Sequence, residues 1–387
     1  MAAVRKDGFK ARSYFIKFMA VLRGLARKYI PIRTSLWPAP LPSCEFLLKA
    51  GAVFLEQRLQ NAWYGQHRWC ALLSPLSWAY RGAASARRLL YSTPLVRPYT
   101  CATPVVIVGN ITVGGAGKTP LVIWLAHCLR RQGYRPGIVT RGYGGQSTNW
   151  PRRVAPDSDP HQVGDESVLV ARHCKGPVVA AGRRRAQAVD QLLFDDKCDV
   201  IVCDDGLQDY ALARDVEIAV VDGVRRFGNG RLLPAGPLRE PIDRLTRVDM
   251  IVTRGEALDN EYAMSYRASV ANAVADDTAV RTLDELRGRR VHAVAGIGHP
   301  DCFFSLLRGF GIETIEHPFP DHYGFSRRDL AFTDGLPVIM TEKDAVKCRH
   351  FASADVWYIP IQAELSSAFE KTFIALLKSK INGQASS

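Results

Sequence analysis

The chain has 387 residues, 47% hydrophobic and 23% charged, a balance that excludes a disordered or low-complexity polypeptide and leaves room for about two or three domains. Its formal net charge of +13 points to an acidic partner: nucleic acid, anionic lipid or a phosphorylated substrate. The nine cysteines are scattered, with no C-x-x-C pair and no zinc spacing. That excludes a secreted disulfide framework and suggests reduced, buried thiols in a cytoplasmic protein.

Up to about Leu36 the chain is basic, with Lys and Arg throughout against the single acid Asp7. Phe15, Ile16, Phe18, Met19, Leu22 and Leu25 interleave with those charges, as in a basic amphipathic segment or a solvated extension rather than a cleaved signal peptide. After Trp37-Pro38-Ala39-Pro40-Leu41-Pro42 a helical stretch is expected from Glu45 to Gln60. An aromatic-rich run from Trp69 to Tyr80 then stops at Arg81, short of the roughly 20 residues a spanning helix needs. Arg68 on one side and Arg81, Arg87 and Arg88 on the other give it the composition of a helix lying in a membrane interface; a buried core helix is the alternative. Residues 1–50 thus read as a basic extension and 51–100 as an amphipathic membrane-associating helical segment.

From Thr103 short apolar runs alternate with helical periodicity, which predicts an α/β fold with a parallel sheet flanked by helices. Strands are expected at Val105 to Val108, Gly137 to Thr140, Val178 to Ala181, Val200 to Cys203, Ile218 to Val221 and Met250 to Thr253, each rich in Val, Ile or small apolar residues. Between the first two, Pro120 to Gln132 carries Leu121, Trp124, Leu125, Cys128 and Leu129 on one helical stripe. This core spans residues 101–255. Residues 256–290 are polar and aperiodic and read as a linker, and 291–387 as a smaller C-terminal α/β lobe. That lobe has a strand at Val291 to Gly296, a helix around Phe303 to Phe310, a strand at Ile339 to Thr341 and a closing helix from Leu365 to Lys378.

The run Gly109-Asn110-Ile111-Thr112-Val113-Gly114-Gly115-Ala116-Gly117-Lys118-Thr119-Pro120 lies between an expected strand and an expected helix, where a phosphate-binding loop belongs. Glycines let backbone N–H groups turn toward an anion, the helix N-terminus adds its dipole, Lys118 supplies a point charge and Thr119 is a potential magnesium ligand. One position departs from the general pattern, Thr112 standing where glycine is usual. Downstream, Val200-Ile201-Val202-Cys203-Asp204-Asp205-Gly206 ends an apolar strand in two acids, which suits a magnesium-holding residue at Asp204 or a plain turn. Taken alone, Gly164-Asp165-Glu166 is an acidic helix start, and His322 in Pro320-Asp321-His322-Tyr323 is a solvated loop histidine. Arginines cluster at 183–185 and again at Arg225, Arg226, Arg231 and Arg239, either as a solvated basic face or as a clamp for an anionic substrate. Aromatic interleaving for base stacking is sparse, so nucleic acid is not the expected partner.

Together these segments resemble the tetraacyldisaccharide 4′-kinase family, the lipid A 4′-kinases of Gram-negative bacteria. The likeness runs from about Leu59 onward through Leu72-Leu73-Ser74-Pro75-Leu76-Ser77-Trp78, the loop from Gly109 to Pro120 and Thr140-Arg141-Gly142-Tyr143-Gly144-Gly145. It continues in Gly164-Asp165-Glu166, Asp204-Asp205-Gly206-Leu207-Gln208, Phe227-Gly228-Asn229-Gly230 and Leu233-Pro234-Ala235-Gly236-Pro237-Leu238-Arg239-Glu240. Gly296-Ile297-Gly298-His299-Pro300, Asp321-His322 and Thr341-Glu342-Lys343-Asp344-Ala345-Val346-Lys347 complete it. The family's loop also tolerates a small hydroxyl residue at the position of Thr112.

The resemblance implies transfer of the γ-phosphoryl group of ATP to the 4′-hydroxyl of a tetraacylated glucosamine disaccharide 1-phosphate at the cytoplasmic face of the bacterial inner membrane. It implies a P-loop NTPase core, ATP and Mg²⁺ as cofactors, and the lipid A disaccharide precursor and an anionic membrane surface as partners. Thr112, Val113, Gly114, Gly115, Ala116, Gly117, Lys118, Thr119 and Gln208 would bind ATP, and Thr119, Glu166, Asp204 and Asp205 the metal. Asp165, supported by His322, would take the hydroxyl proton, with Lys118 and Arg185 facing phosphate and Tyr143, Asn229 and Arg239 contacting substrate. Two positions depart from the family: Asp209 stands where histidine is common, and Ser167 where proline often follows Gly-Asp-Glu. A membrane-recruited ATPase of the partitioning type shares the Gly-Gly-x-Gly-Lys-Thr loop, but it needs lysine at the position of Val113.

Overall fold

The computed structural model describes residues 58–65, 67–94, 96–182 and 184–385. The chain divides into two units at Cys70 and Ala71. In the first, residues 58–64 are helical. The extension expected over residues 1–50, and most of the helix expected from Glu45 to Gln60, lie outside the described residues.

The second unit opens on helix α1 (Ser74–Ser92), which has a proline in its first turn, where the missing N–H costs nothing. Of its 19 residues only Ser77 is buried, which removes the buried-core-helix alternative. Ser77 Oγ donates to the Leu232 carbonyl at 2.8 Å and accepts from Ala235 N at 3.1 Å, while Tyr80 Oη donates to the Arg239 carbonyl at 3.0 Å. Among the described residues no helix is long and apolar enough to cross a membrane.

Of the first seven strands, β1 (Val105–Gly109), β2 (Pro136–Thr140), β3 (Arg152–Val154), β4 (Val178–Ala180), β5 (Val200–Cys203), β6 (Val216–Asp222) and β7 (Met250–Arg254), six follow the expected pattern closely. Only the short edge strand β3 was not anticipated. With β8 (Tyr262–Arg267) and β15 (Gln362–Leu365) they form a nine-stranded sheet in the order β15-β8-β7-β6-β1-β5-β2-β4-β3. The strands from β8 to β4 are parallel and both edges antiparallel. Every residue of β1, β2, β5 and β6 is buried, as continuous Val/Ile runs require when helices cover both faces.

Helix α2 (Lys118–Arg131) covers one face with Leu121, Val122, Leu125 and Leu129, joined there by α3 (Asp165–His173). Helix α4 (Arg185–Asp196) covers the other with Ala188, Val189 and Leu192. A second sheet of six strands, in the order β10-β9-β14-β13-β11-β12, is built from β9 (Val270–Ala273), β10 (Val280–Thr282), β11 (Arg290–Ala295), β12 (Glu313–Pro318), β13 (Val338–Thr341) and β14 (Val356–Ile359). Helices α5 (Pro300–Gly309) and α6 (Glu342–Cys348) pack on it.

Two expected boundaries are corrected. Residues 256–290 are not a linker: β8 extends the first sheet, and β9 and β10 belong to the second. These strands bury little, Met264 in β8 and Ala271 and Ala273 in β9, so their inward positions leave a faint apolar signal. The closing helix, α7 (Ser367–Ala385), does not belong to the C-terminal lobe. Phe369, Phe373 and Leu377, spaced one turn apart, are fully buried in the core formed by Val106, Leu121 and Leu125. Each such side chain contributes about 1.5–3 kcal/mol on burial. The chain therefore crosses to the second sheet and returns, joining the two lobes by two crossings.

Candidate active site

The phosphate loop leaves β1 at Gly109 and enters α2 at Lys118, with Gly114 at φ +98° and Gly117 at φ +95°. Gly117 caps α2 in a left-handed conformation that a Cβ would oppose, and Tyr266 Oη would lie 2.3 Å from that atom. Thr112 instead pairs with Leu238 in an antiparallel bridge, so its backbone needs no glycine, and its hydroxyl accepts from Asn110 Nδ2 at 3.3 Å. The loop is braced from outside: Val113 N donates to Pro237 O at 2.9 Å and Arg239 N to Ile111 O at 2.7 Å. Gln208 Nε2 donates to the Asn110 carbonyl at 2.9 Å, so Gln208 acts on the loop's backbone.

Beneath the loop, charge is concentrated around the acids that end β5. Lys118 Nζ lies 3.2 Å from Asn110 Oδ1 and 3.3 Å from Asp205 Oδ1. Asp205, at φ +51°, also receives Arg239 Nη1 at 3.1 Å and faces Arg141 Nη1 at 3.8 Å. Burial would raise its carboxyl, but Lys118, Arg239, Arg185 and Arg141 hold it well below the usual range. Thr119 Oγ1 donates to Asp204 Oδ2 at 3.4 Å. Burial, with Glu166 and Asp205 close by, pushes Asp204 up to about 7 despite Lys118. Asp204 Oδ1 is buried with no hydrogen-bond partner. An orphaned carboxylate oxygen beside a threonine hydroxyl on a phosphate loop fits a magnesium ion. Among the described residues no group of three His, Cys, Asp or Glu could hold a metal by itself, which suits an ion completed by nucleotide oxygens and water.

Asp165 begins α3 and is 5% exposed. It accepts from Glu166 N at 2.8 Å and sits 2.9 and 3.1 Å from His322 Nδ1, which comes from the second lobe on a left-handed turn at φ +57°. Burial opposes its ionisation, but the His322 contact and the Lys343 and Lys347 ammonium groups outweigh it and hold the Asp165 carboxyl at about 2. Burial likewise pushes His322 down, and the Asp165 carboxylate more than offsets this, so the imidazole is raised. The Tyr143 ring covers His322 with centroids 4.9 Å apart and is itself 56% exposed. An ionised carboxylate with a histidine bonded to it thus stands next in sequence to Glu166, whose charge reaches Asp204 beside Thr119 of the phosphate loop.

Several expected residues are placed differently. Arg185 does not face the phosphate loop: it is buried, its Nη1 donates to Asp209 Oδ2 at 2.7 Å, and its Nη2 donates to the carbonyls of Asp204 at 3.1 Å and Asp205 at 2.8 Å. With aspartate where the family commonly has histidine, a local acid captures the guanidinium, and the pair clasps the turn that presents Asp204 and Asp205. Asn229 turns into its own loop, donating to Ala235 O at 2.8 Å and accepting from Arg231 N at 3.2 Å. Glu166 is bonded to Lys343 Nζ at 3.0 Å and Asp205 to cations, so the orphaned oxygen singles out Asp204 as the acid left for a metal. Asn110 and Arg141 were not anticipated as site residues, nor were Lys343 and Lys347. The two lysines stand one helical turn apart just after a buried strand, and that spacing was the available signal.

A sequence model of the family described as tetraacyldisaccharide-1-P 4′-kinase matches residues 69–381. A tetraacyldisaccharide 4′-kinase of Nitrosococcus oceani is 50% identical over 326 residues, covering 83% of this chain and 95% of that protein. One of Aeromonas salmonicida is 48% identical over 324 residues, covering 83% and 97%. The solved structure of LpxK from Aquifex aeolicus in complex with ATP superposes with a TM-score of 0.66 at 28% identity, covering 80% of this chain and 99% of that one.

Proposed function

Since the chain belongs to the tetraacyldisaccharide-1-P 4′-kinase family, we propose that it transfers the γ-phosphoryl group of ATP to the 4′-hydroxyl of a tetraacylated glucosamine disaccharide 1-phosphate, a step of lipid A biosynthesis. Membership also disposes of the partitioning-type ATPase. The observation that carries the residue roles is the Asp165–His322 pair, joined across the two lobes at 2.9 Å.

In this reading the backbone N–H groups from Gly114 to Thr119 and the Lys118 ammonium bind the ATP phosphates, the Val113 N–H being engaged by the Pro237 carbonyl. Asp204 and Thr119 hold Mg²⁺, which neutralises phosphate charge when bound. Asp165 accepts the proton of the 4′-hydroxyl, and His322 orients its carboxylate. Because phosphoryl transfer passes through a loose transition state, alignment matters more than proton removal. Arg141 and Arg239, which neutralise Asp205, are the cations this reading assigns to an anionic substrate or product. Tyr143 offers an exposed ring for a sugar face.

Peripheral attachment to the cytoplasmic face of the inner membrane is supported by α1 and the residues before it, where Leu72, Leu76, Trp78, Leu89 and Leu90 are exposed among Arg81, Arg87 and Arg88. Docking of α1 through Ser77 and Tyr80 on the segment that braces the phosphate loop would bring a membrane-embedded acceptor near the site. The test is ATP consumption by the full chain with and without a tetraacyl disaccharide 1-phosphate in mixed micelles. The reading expects turnover only with acceptor; equal turnover in its absence would refute it.

A further inference from the structure

Lys343 stands at the centre of the contacts between the lobes, and its surroundings restrict the chemistry of His322. Its ammonium lies 3.0 Å from Glu166 Oε1, 3.2 Å from Asp321 Oδ1 and 3.3 Å from His322 Nε2. A lysine ammonium has three N–H donors and no acceptor, so these three neighbours can satisfy it completely, and each must offer a lone pair. If the ammonium donates along that 3.3 Å contact, Nε2 of His322 is the unprotonated ring nitrogen; the other group facing Nε2, Asp321 Oδ2, is farther away at 3.8 Å. The neutral imidazole then carries its hydrogen on Nδ1, the atom that faces both Asp165 oxygens at 2.9 and 3.1 Å. A second proton on Nε2 would point directly at the ammonium.

The lysine is held in place by its own helix start. Thr341 caps α6 through Asp344 N, and the Asp344 carboxylate, fully buried, accepts from Thr341 Oγ1 at 2.6 Å, Gly296 N at 2.7 Å and Lys347 Nζ at 2.8 Å. This ties the first turn of α6 to the end of β11. Lys347, one turn on, approaches Asp165 Oδ2 at 3.9 Å from the same helix face.

Resting on the kinase reading above, we infer that Lys343 is a positioning residue: it locks His322 in the tautomer whose Nδ1–H donates to Asp165, leaving the Asp165 carboxylate as the proton acceptor. A simpler role, an ion pair with Glu166 holding the lobes together, makes a different prediction. An ion pair needs only the charge, whereas the tautomer needs an N–H of residue 343 that donates to Nε2.

The test compares Lys343→Met, Lys343→Gln and Lys343→Arg in the full chain, with a thermal melt to establish folding. Met keeps the bulk without the donor and should lower kcat by about tenfold to a hundredfold, the usual cost of losing a group that orients a functional side chain. Its KM for ATP should stay within about twofold, since the loss falls on the chemical step. Gln, a neutral donor, and Arg should each recover a large part of kcat. Wild-type kcat in folded Lys343→Met, or Gln as impaired as Met while Arg is not, would overturn the inference. Should Lys343→Met fail to fold, ¹⁵N NMR of the wild-type histidines, with His322→Gln for assignment, decides directly. Nε2 is expected unprotonated, and a protonated Nε2, whether Nδ1 is bare or also protonated, would overturn the inference. Wild-type protein with no acceptor-dependent transfer would instead refute the kinase reading, and the ¹⁵N result would still decide the tautomer.

Discussion

Replacing Asp165 with asparagine removes one negative charge from a pocket that also holds His322, Lys343 and Lys347, and it leaves the side chain's size unchanged. The fold should survive. Lys343 keeps Glu166 and Asp321, Lys347 keeps Asp344 at 2.8 Å, and the asparagine carbonyl can still accept from His322 Nδ1. What disappears is the proton acceptor. General-base assistance is worth roughly 10²- to 10⁴-fold, and a loose phosphoryl transition state places this case at the lower end. The expected loss is about 100-fold in kcat, or about 2.7 kcal/mol of transition-state stabilisation. Nucleotide affinity should hardly change, because none of the groups assigned to the ATP phosphates contacts Asp165. Steady-state kcat against acceptor, with ATP-analogue affinity by calorimetry, reads both quantities. Parallel loss of turnover and nucleotide affinity, or kcat within about threefold of wild type, would refute the assignment.

Asp209→Ala leaves the buried Arg185 guanidinium without its carboxylate, and removing one partner of a buried pair costs about 3–5 kcal/mol. A thermal melt lower by several degrees is expected, together with weaker magnesium activation as the Asp204–Asp205 turn loosens; an unchanged melt would contradict the clasp. His173 bonds Glu342 at 2.7 Å, and although burial lowers its pKa, that partner raises it overall. Its contribution to stability is therefore complete below the ordinary histidine value of about 6.5 and is lost as pH climbs through the raised one. The melting difference between wild type and His173→Gln should accordingly be larger near pH 6 than near pH 9, and a difference independent of pH would sink the idea. Trp78 and Leu89 are 70% and 64% exposed, so replacing both with serine should reduce binding to anionic vesicles while leaving kcat on a detergent-dispersed short-chain acceptor intact. Unchanged vesicle partitioning would show that α1 is not the membrane contact.

The first sheet was legible because its parallel strands are buried on both faces, so Val105 to Val108 and Val200 to Cys203 are unbroken apolar runs. Strands β8 to β10 were not, because they lie at or next to the sheet edges and bury only Met264, Ala271 and Ala273, so they look polar and aperiodic. The return of α7 to the first sheet was equally hidden: Phe369 and Phe373 declare a buried face but not which sheet covers it. At the site, local chemistry was readable and long-range pairing was not. The phosphate loop and Asp204 follow from strand and helix ends, whereas the Lys343–Glu166 contact joins residues 177 positions apart. Arg185 was expected to face phosphate from the family resemblance, and a motif match says nothing of which acid captures the guanidinium; here Asp209 does. The family resemblance supplied Asp165 and His322, which periodicity alone would have left as a helix start and a loop histidine.

The most direct test follows the phosphorus itself. Full-length protein is incubated with γ-labelled ATP and a tetraacyl disaccharide 1-phosphate, and the lipid product is analysed by mass and by ³¹P NMR. The account predicts one added phosphate at the 4′ position, retaining the 1-phosphate and requiring an intact Lys118. Label appearing only as inorganic phosphate, or on any other hydroxyl of the disaccharide, would contradict it.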